Sequence, residues 1–456
     1  MPVFSHRVLA PVAALICYLL LRQADVGHPI AWTATVTLLT AWWWISEALP
    51  IPVTSLLPFV LLPAGGIIDY KQASAALGDH VIVLLMGAFM LARGIEQSGV
   101  HERFALTLIH RIGAQNGRAM VLAFMISVAA MSMWISNTAS VLALLPVAMA
   151  LVQRCPDRNF QRALLLGLAY AASLGGVATL IGTPPNVIFA SVYETFSGEE
   201  FGFLRWMSVG VPIVLLGVPA MAWWLTRHIR LQTPLELPVV GPWRVAEKRV
   251  LMVFGFIALL WITRTEPFGG WSALLSLPMV GDATVALFGV VLMFLVPDGK
   301  GERLLNWRTA SAIPWGVLLL FAGGICLAKG FVSSGLSAWI GEALLALTSL
   351  PLLLQMLLVA LVVSFLTEIT SNTATATLLM PILASAAVSA NQPLYWLMIP
   401  AVISCSCAFC LPVATAPNSI IFSSERISIK EMAREGVVLN VIMAVIVSAV
   451  CYLVLR

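Results

Sequence analysis

The chain has 456 residues, 60% of them hydrophobic and only 10% charged, with a formal net charge of +4. A soluble domain carries roughly 25% charged residues, so this composition excludes one and points to an all-α polytopic membrane protein. The small positive charge argues for no nucleic-acid partner, because the basic residues lie in loops between apolar runs, where they set topology.

Apolar runs of the ~20 residues that a span needs fall at 8–24, 30–46, 53–68 and 81–100 in the first part of the chain. The first run has no small-residue cleavage pattern and is read as a span rather than a secretory leader. Glu47 follows the second run, in Ser46-Glu47-Ala48-Leu49-Pro50, and is placed at its inner end. An acid at membrane depth is a functional candidate by default, but a helix-end role fits equally. Arg93 and Glu96, at i and i+3, are placed to pair. The stretch Val100 to Ile112 reads as an amphipathic helix along the inner surface, and its His101 and His110 lack metal-ligand spacing.

The stretch 118–152 is too long for one span and carries Ser136-Asn137-Thr138 near its middle. Ser, Asn and Thr compete for backbone hydrogen bonds and favour helix N-caps over interiors. Two half-length helices meeting at that motif, a re-entrant hairpin, fit the pattern. The next run, 162–196, contains Gly182-Thr183-Pro184-Pro185-Asn186. Proline fits a first helical turn and breaks an interior, so this span is predicted broken, with Thr183 heading a half-helix that runs to Tyr193. A further span follows at 207–229. The segment 231–248 holds Pro234, Pro238, Pro242 and several charges and reads as a linker.

The second half repeats the first. Spans are predicted at 249–264, 282–297, 312–334 and 437–455, a hairpin at 350–390 around Ser371-Asn372-Thr373, and a broken span at 396–423 around Ala414-Thr415-Ala416-Pro417-Asn418. The span holding Gly323 to Gly330 (GGICLAKG) answers to the one holding Gly87 to Gly94 (GAFMLARG), with Lys329 in the place of Arg93. Three motifs recurring in one order, each roughly 235 positions on, mark an internal duplication. Glu368, three residues before the second Ser-Asn-Thr, is read as a backbone-bonding group at the hairpin tip, with proton relay as the alternative. Cys405, Cys407 and Cys410 have no His or acid beside them and read as small packing residues rather than a zinc site.

Charge fixes an orientation. With the N-terminus inside, the loops holding Arg103 to Arg118, Arg154 to Arg162, Arg227 to Arg249, Lys300 to Arg308 and Arg426 to Arg434 all face the cytoplasm. Arg22, Lys71, Arg205, Arg264 and Arg456 fall outside, which follows the positive-inside rule. Each hairpin must then return to the face it entered. The two glycine-motif spans become the fourth and ninth, so the repeats run in opposite senses, a recurring secondary-transporter design. Four half-helix N-termini converge near the midplane as an anion site. No Lys or Arg lies in the four motifs, so a co-bound cation such as Na⁺ makes chemical sense.

With Glu47-Ala48-Leu49-Pro50-Ile51-Pro52-Val53-Thr54-Ser55-Leu56-Leu57-Pro58, the two Ser-Asn-Thr hairpins and the Thr-Pro-Pro-Asn break, the chain resembles the divalent anion:sodium symporter family over nearly its whole length. That resemblance implies a homodimer with about eleven spans, two hairpins and an elevator mechanism. It implies scaffold helices and a surface arm in 1–117, a first transport half in 118–230, further scaffold in 249–349 and a second transport half in 350–456. It also implies that Ser136, Asn137, Thr138, Ser371, Asn372, Thr373 and Thr415 contact a di- or tricarboxylate, and the half-helix reading adds Thr183. One Na⁺ would sit near Ser132, Asn137 and Gly182, and a second near Thr367, Thr370, Asn372 and Ala414. Two departures, Ala416 for a usual proline and Ser140 for a usual threonine, bear on substrate choice. The expected function is Na⁺-coupled symport of a C4-dicarboxylate such as succinate, malate or fumarate; the family also includes Na⁺-independent exchangers with the same motifs, so exchange of a dicarboxylate or citrate is the alternative. A channel needs a continuous pore, and no Ser/His/Asp or His-Glu-x-x-His arrangement supports an enzyme. A bacterial inner membrane is the expected location.

Overall fold

The computed structural model describes residues 3–112, 116–229, 241–266, 269–343 and 350–456. It is all-helical, with no β-strand among the described residues. Among the described residues, seven helices are long and apolar enough to cross a membrane, and five apolar helices are shorter, including the entering hairpin arms Gly117–Ser132 and Leu352–Leu366 and the first part of the second broken span, Tyr395–Cys405. The predicted linker falls outside the described residues up to 240, and from Val245 it is already helix. The reason is a cap: the Glu247 side chain accepts from the Arg244 N–H at 2.7 Å, which starts the helix earlier than the charged sequence implies.

The helices Val3–Gln23, His28–Ser46 and His80–Ser98 lie close to the predicted spans. The third run differs. It splits into Ile51–Thr54 and Leu57–Ala64, because Pro58 has no N–H and its ring collides with the carbonyl four residues back.

Both Ser-Asn-Thr motifs are turns between two helices. The first joins Gly117–Ser132 to Asn137–Arg154, and the second joins Leu352–Leu366 to Asn372–Ser389. Each entering arm packs on the first part of a broken helix, Arg158–Gly175 in one half and Tyr395–Cys405 in the other. The breaks each contain one turn of 3-10 helix and resume at Pro184–Ser197 and Ala416–Phe422. Arg158–Gly175 is buried on all sides from Ala163 onward.

The duplicated glycine motifs turn out to be packing devices. A Cβ at Gly87 would lie 2.7 Å from the Ala286 Cβ, in helix Asp282–Leu295. A Cβ at Gly323 would lie 2.5 Å from the Ser55 carbonyl, at the split of the third run. Repeat-related positions thus make the same close approach to repeat-related partners. Each glycine helix also ends on a left-handed glycine, Gly99 (φ 73°) and Gly335 (φ 80°), followed by a short surface helix. The second of these, Leu336–Ala343, is not anticipated from its sequence.

Candidate functional site

The two hairpin tips and the two helix breaks face one another across a cavity of about 510 Å³. Its wall includes Ser136, Asn137, Thr138, Thr183, Ser371, Asn372, Thr373 and Thr415, the whole set predicted to meet an anion. The remaining wall comes from the C-terminal end of His28–Ser46 (Trp44, Glu47), the middle of His80–Ser98 (Ala88, Phe89, Ala92) and the start of Trp315–Ser334 (Pro314, Val317). Among the described residues, Glu47 and Glu368 are the only ionisable groups in the lining, which contains no Lys, Arg or His.

Donors face this space in quantity. The hydroxyls of Thr138, Thr183, Ser371 and Thr373 form no hydrogen bond among the described residues. Ser136 and Thr415 are partly committed, accepting from the N–H groups of Ala139 (3.1 Å) and Asn418 (3.1 Å) as helix caps. The convergence of half-helix N-termini holds, but the two breaks offer fewer free N–H groups than expected. Pro184, Pro185 and Pro417 have none, and those of Asn186 and Asn418 bond to Thr183 O and Thr415 Oγ1. The hairpin arms therefore carry most of the backbone donors.

Behind each tip is an oxygen cluster with more acceptors than protons. Ser132 Oγ is 2.6 Å from Asn137 Oδ1 and 2.6 Å from the Ala172 carbonyl. Its repeat mate, Thr367 Oγ1, is 2.6 Å from Asn372 Oδ1 and 3.2 Å from the Cys405 carbonyl. One hydroxyl proton cannot serve two acceptors. At the first tip, a Cβ on Gly176 would lie 2.8 Å from the Gly182 carbonyl and 2.9 Å from Asn137 Oδ1, and one on Gly182 would lie 2.9 Å from the Met133 carbonyl. Neutral oxygens from the tip and the unwound break thus converge, a donor set that fits Na⁺. Binding Asn Oδ1 this way leaves each Asn Nδ2 uncommitted beside the cavity.

Two predicted ligands stand differently. The Thr370 hydroxyl is spent on the Leu366 carbonyl (2.9 Å) and the Thr375 hydroxyl (2.6 Å). Ala414 lies in the cavity wall in the last residue of its 3-10 turn. Glu368 does bond backbone, though of the neighbouring break rather than its own tip. Its Oε1 accepts from Phe409 N (2.7 Å), Cys410 N (2.9 Å) and Asn440 Nδ2 (2.8 Å), and Oε2 accepts from Leu411 N (3.0 Å). The cysteine triplet is the backbone of that break, and all three thiols are buried.

The breaks are held by residues that the motifs partly conceal. Asn186 Nδ2 donates to the carbonyls of Gly176 (3.1 Å) and Thr179 (2.8 Å). Asn418 Nδ2 donates in the same way to Ala408 and Leu411, at 3.0 Å each. Tyr170 donates to the Phe409 carbonyl at 2.7 Å and ties the first half to the second. Asn440 and Tyr170 escape sequence reading, though a lone polar residue deep in an apolar run is the available signal.

Comparison with known proteins gives three findings. A family model described as citrate transporter matches residues 41–401. The chain is 38% identical over 471 residues to the sodium-dependent dicarboxylate transporter SdcS of Staphylococcus saprophyticus and 39% identical over 476 residues to that of Staphylococcus aureus, covering 98% of this chain and 90% of each relative. The solved structure of the YdaH transporter of Alcanivorax borkumensis superposes with a TM-score of 0.60 at 13% identity, over 93% of this chain and 97% of that one, and shares the fold.

Proposed function

Because the chain belongs to the divalent anion:sodium symporter family of integral membrane transporters, and is not an enzyme, we propose that it couples Na⁺ entry to uptake of a C4-dicarboxylate such as succinate, malate or fumarate. The observation that carries this reading is the charge of the cavity. Its lining offers hydroxyl and amide donors to an anion, but its only ionisable groups are two carboxylates. A dianion entering alone gains neutral hydrogen bonds and meets like charge. Two adjacent clusters of neutral oxygens supply places for the cations that offset it. The relatives' printed description as sodium-dependent dicarboxylate transporters supports the same assignment.

In this reading one substrate carboxylate lies on Ser136, Asn137 and Thr138, the other on Ser371, Asn372 and Thr373, with Thr183 and Thr415 at the half-helix ends. One Na⁺ is held by Ser132, Asn137 and the Gly182 carbonyl. A second is held by Thr367, Asn372 and the backbone of Thr370 and Ala414. The hairpins, broken helices, Phe203–Thr226 and Ile429–Leu455 form a body that moves against the other helices of a homodimer. Buried bonds such as Tyr170 to Phe409 lock that body internally and support its rigidity. Glu47 and Pro314 border the cavity at helix ends on the basic-rich side, so an inside N-terminus makes this arrangement inward-facing.

The test is uptake of radiolabelled succinate into proteoliposomes. Accumulation in empty vesicles that depends on an inward Na⁺ gradient is expected. Uptake only into succinate-loaded vesicles, indifferent to Na⁺, would replace symport with exchange.

A further inference from the structure

A second cavity, of about 720 Å³, lies away from the hairpin tips, at the opposite end of the broken helix Arg158–Gly175. Its size is within the ~300–1,000 Å³ range of small-ligand pockets. Arg118, Arg162, Arg227, His228 and Arg434 line it, with Glu435 as the single carboxylate among the described residues of the lining. These residues come from both repeats. Arg118 opens the first hairpin, Arg162 lies in the first turns of the broken helix, Arg227 and His228 follow Phe203–Thr226, and Arg434 and Glu435 belong to Ile429–Leu455.

The charges do not balance internally. Glu435 is 1% exposed and is already engaged by Arg227 (2.9 Å) and Arg162 (3.6 Å). Arg118 reaches only the Arg227 carbonyl, at 3.3 Å, and Arg434 forms no ion pair among the described residues. Among the described lining residues, four guanidinium groups therefore meet one carboxylate; the next acid, Glu431, acts on Arg162 from outside the lining and is paired with Arg158 at 3.6 Å. The N-terminal ends of three helices, Gly117–Ser132, Arg158–Gly175 and Ile429–Leu455, add positive dipole ends to the same region. Bringing so many like charges together opposes folding unless something negative is shared among them.

We propose that this cavity binds a phosphate-bearing anion that bridges the two repeats through Arg118 and Arg434. Planar guanidinium forks match phosphate oxygens in pairs, a geometry that lysines or a single dipole would not supply. The phosphate comes either from an anionic lipid headgroup, since basic pockets between membrane helices are a general mode of lipid recognition, or from a soluble phosphorylated compound. The site is separate from the hairpin cavity and shares no lining residue with it.

The experiment uses delipidated full-length protein in detergent with phosphatidylcholine, and reads thermal unfolding as each probe is titrated. The probes are pyrophosphate, dioctanoyl phosphatidylglycerol and malonate. Saturable stabilisation by pyrophosphate, by the lipid or by both, weakened by salt, supports the site. A response to both marks either source as competent, and a response to the lipid alone assigns the headgroup. In the double variant Arg118→Gln/Arg434→Gln, which spares the Glu435 pairs, affinity should fall about tenfold or more while Na⁺-dependent succinate uptake in phosphatidylcholine vesicles is kept. Single variants R118Q and R434Q provide the same comparison if the double variant does not fold. Equal stabilisation of variant and wild type, a malonate response that equals the phosphate response and is lost in the double variant, or no response to either phosphate probe would overturn the proposal.

Discussion

Asn137 and Asn372 each do two jobs with one side chain. The Oδ1 joins the oxygen cluster behind the tip, and the Nδ2 stays free beside the cavity. On the proposed function, removing either amide removes a cation ligand and an anion donor together, so Asn137→Ala and Asn372→Ala should abolish uptake with near-normal yield of folded protein. Wild-type flux in either variant would refute the assignment. Glu368 makes a different prediction. Its carboxylate, 4% exposed, accepts four bonds from the second break and from Asn440. In Glu368→Gln an amide donor must face an N–H, which should cost about 2 kcal/mol or more and lower the unfolding midpoint. A variant as stable as wild type would show that the break does not depend on the charge. The tips were legible in the sequence because Ser, Asn and Thr are poor interior residues at membrane depth. Glu368's true partner was not, because the carboxylate reaches across to residues some forty positions away, and spacing carries no record of such a contact.

At the scale of elements, duplication made the hairpins and breaks readable. Each motif gained weight from its second copy. What it hid was asymmetry. Ser136 caps its helix whereas Ser371 does not, and Glu368 has Met133 as its counterpart, so one break is held by a carboxylate and the other by the Thr179 hydroxyl on the Met133 carbonyl. The glycine motifs were read as markers, and their role as contact points appears only in three dimensions. Gly87→Val should destabilise the protein by about 1–3 kcal/mol, because its side chain meets Ala286. An unchanged unfolding midpoint would mean the two helices can separate freely. Gly182→Ala pushes a methyl group against the Gly176 and Met133 carbonyls. It should raise the Na⁺ concentration for half-maximal uptake about tenfold and lower the unfolding midpoint as well, because both carbonyls are backbone and cannot move aside cheaply. An unaltered Na⁺ dependence would place the cation elsewhere.

Over the whole molecule, the orientation rests on charge and on the parity of spans. Single cysteines at Asn116 and Asn391, with the partly exposed Cys17 replaced by Ser, should label from opposite faces of intact cells. Labelling from one face would undo the inverted arrangement. On the side away from the basic loops, two contacts join the hairpin-bearing body to its neighbours. Arg264 bonds both Glu200 (2.6 Å) and Asp282 (2.6 Å), and His80 lies 3.2 Å from Glu194. Arg264→Ala should loosen this closure, and a cysteine at Val413, 80% exposed in the cavity, should then react faster with an impermeant reagent added outside. No change in that rate would show that the pair does not hold the closed face.

The cavity's lack of any basic side chain has one more consequence. A carrier with a built-in arginine supplies its own countercharge to an anion and needs no cation to hold it. On the proposed function the positive charge here is on loan, brought by the cations. A body holding the dianion without its cations would carry an unscreened charge through hydrocarbon, where charge is expensive. On the proposed mechanism partial loading is thereby self-arresting, and tight coupling needs no dedicated gate. The same electrostatics that make the cargo hard to hold keep it from leaking back alone.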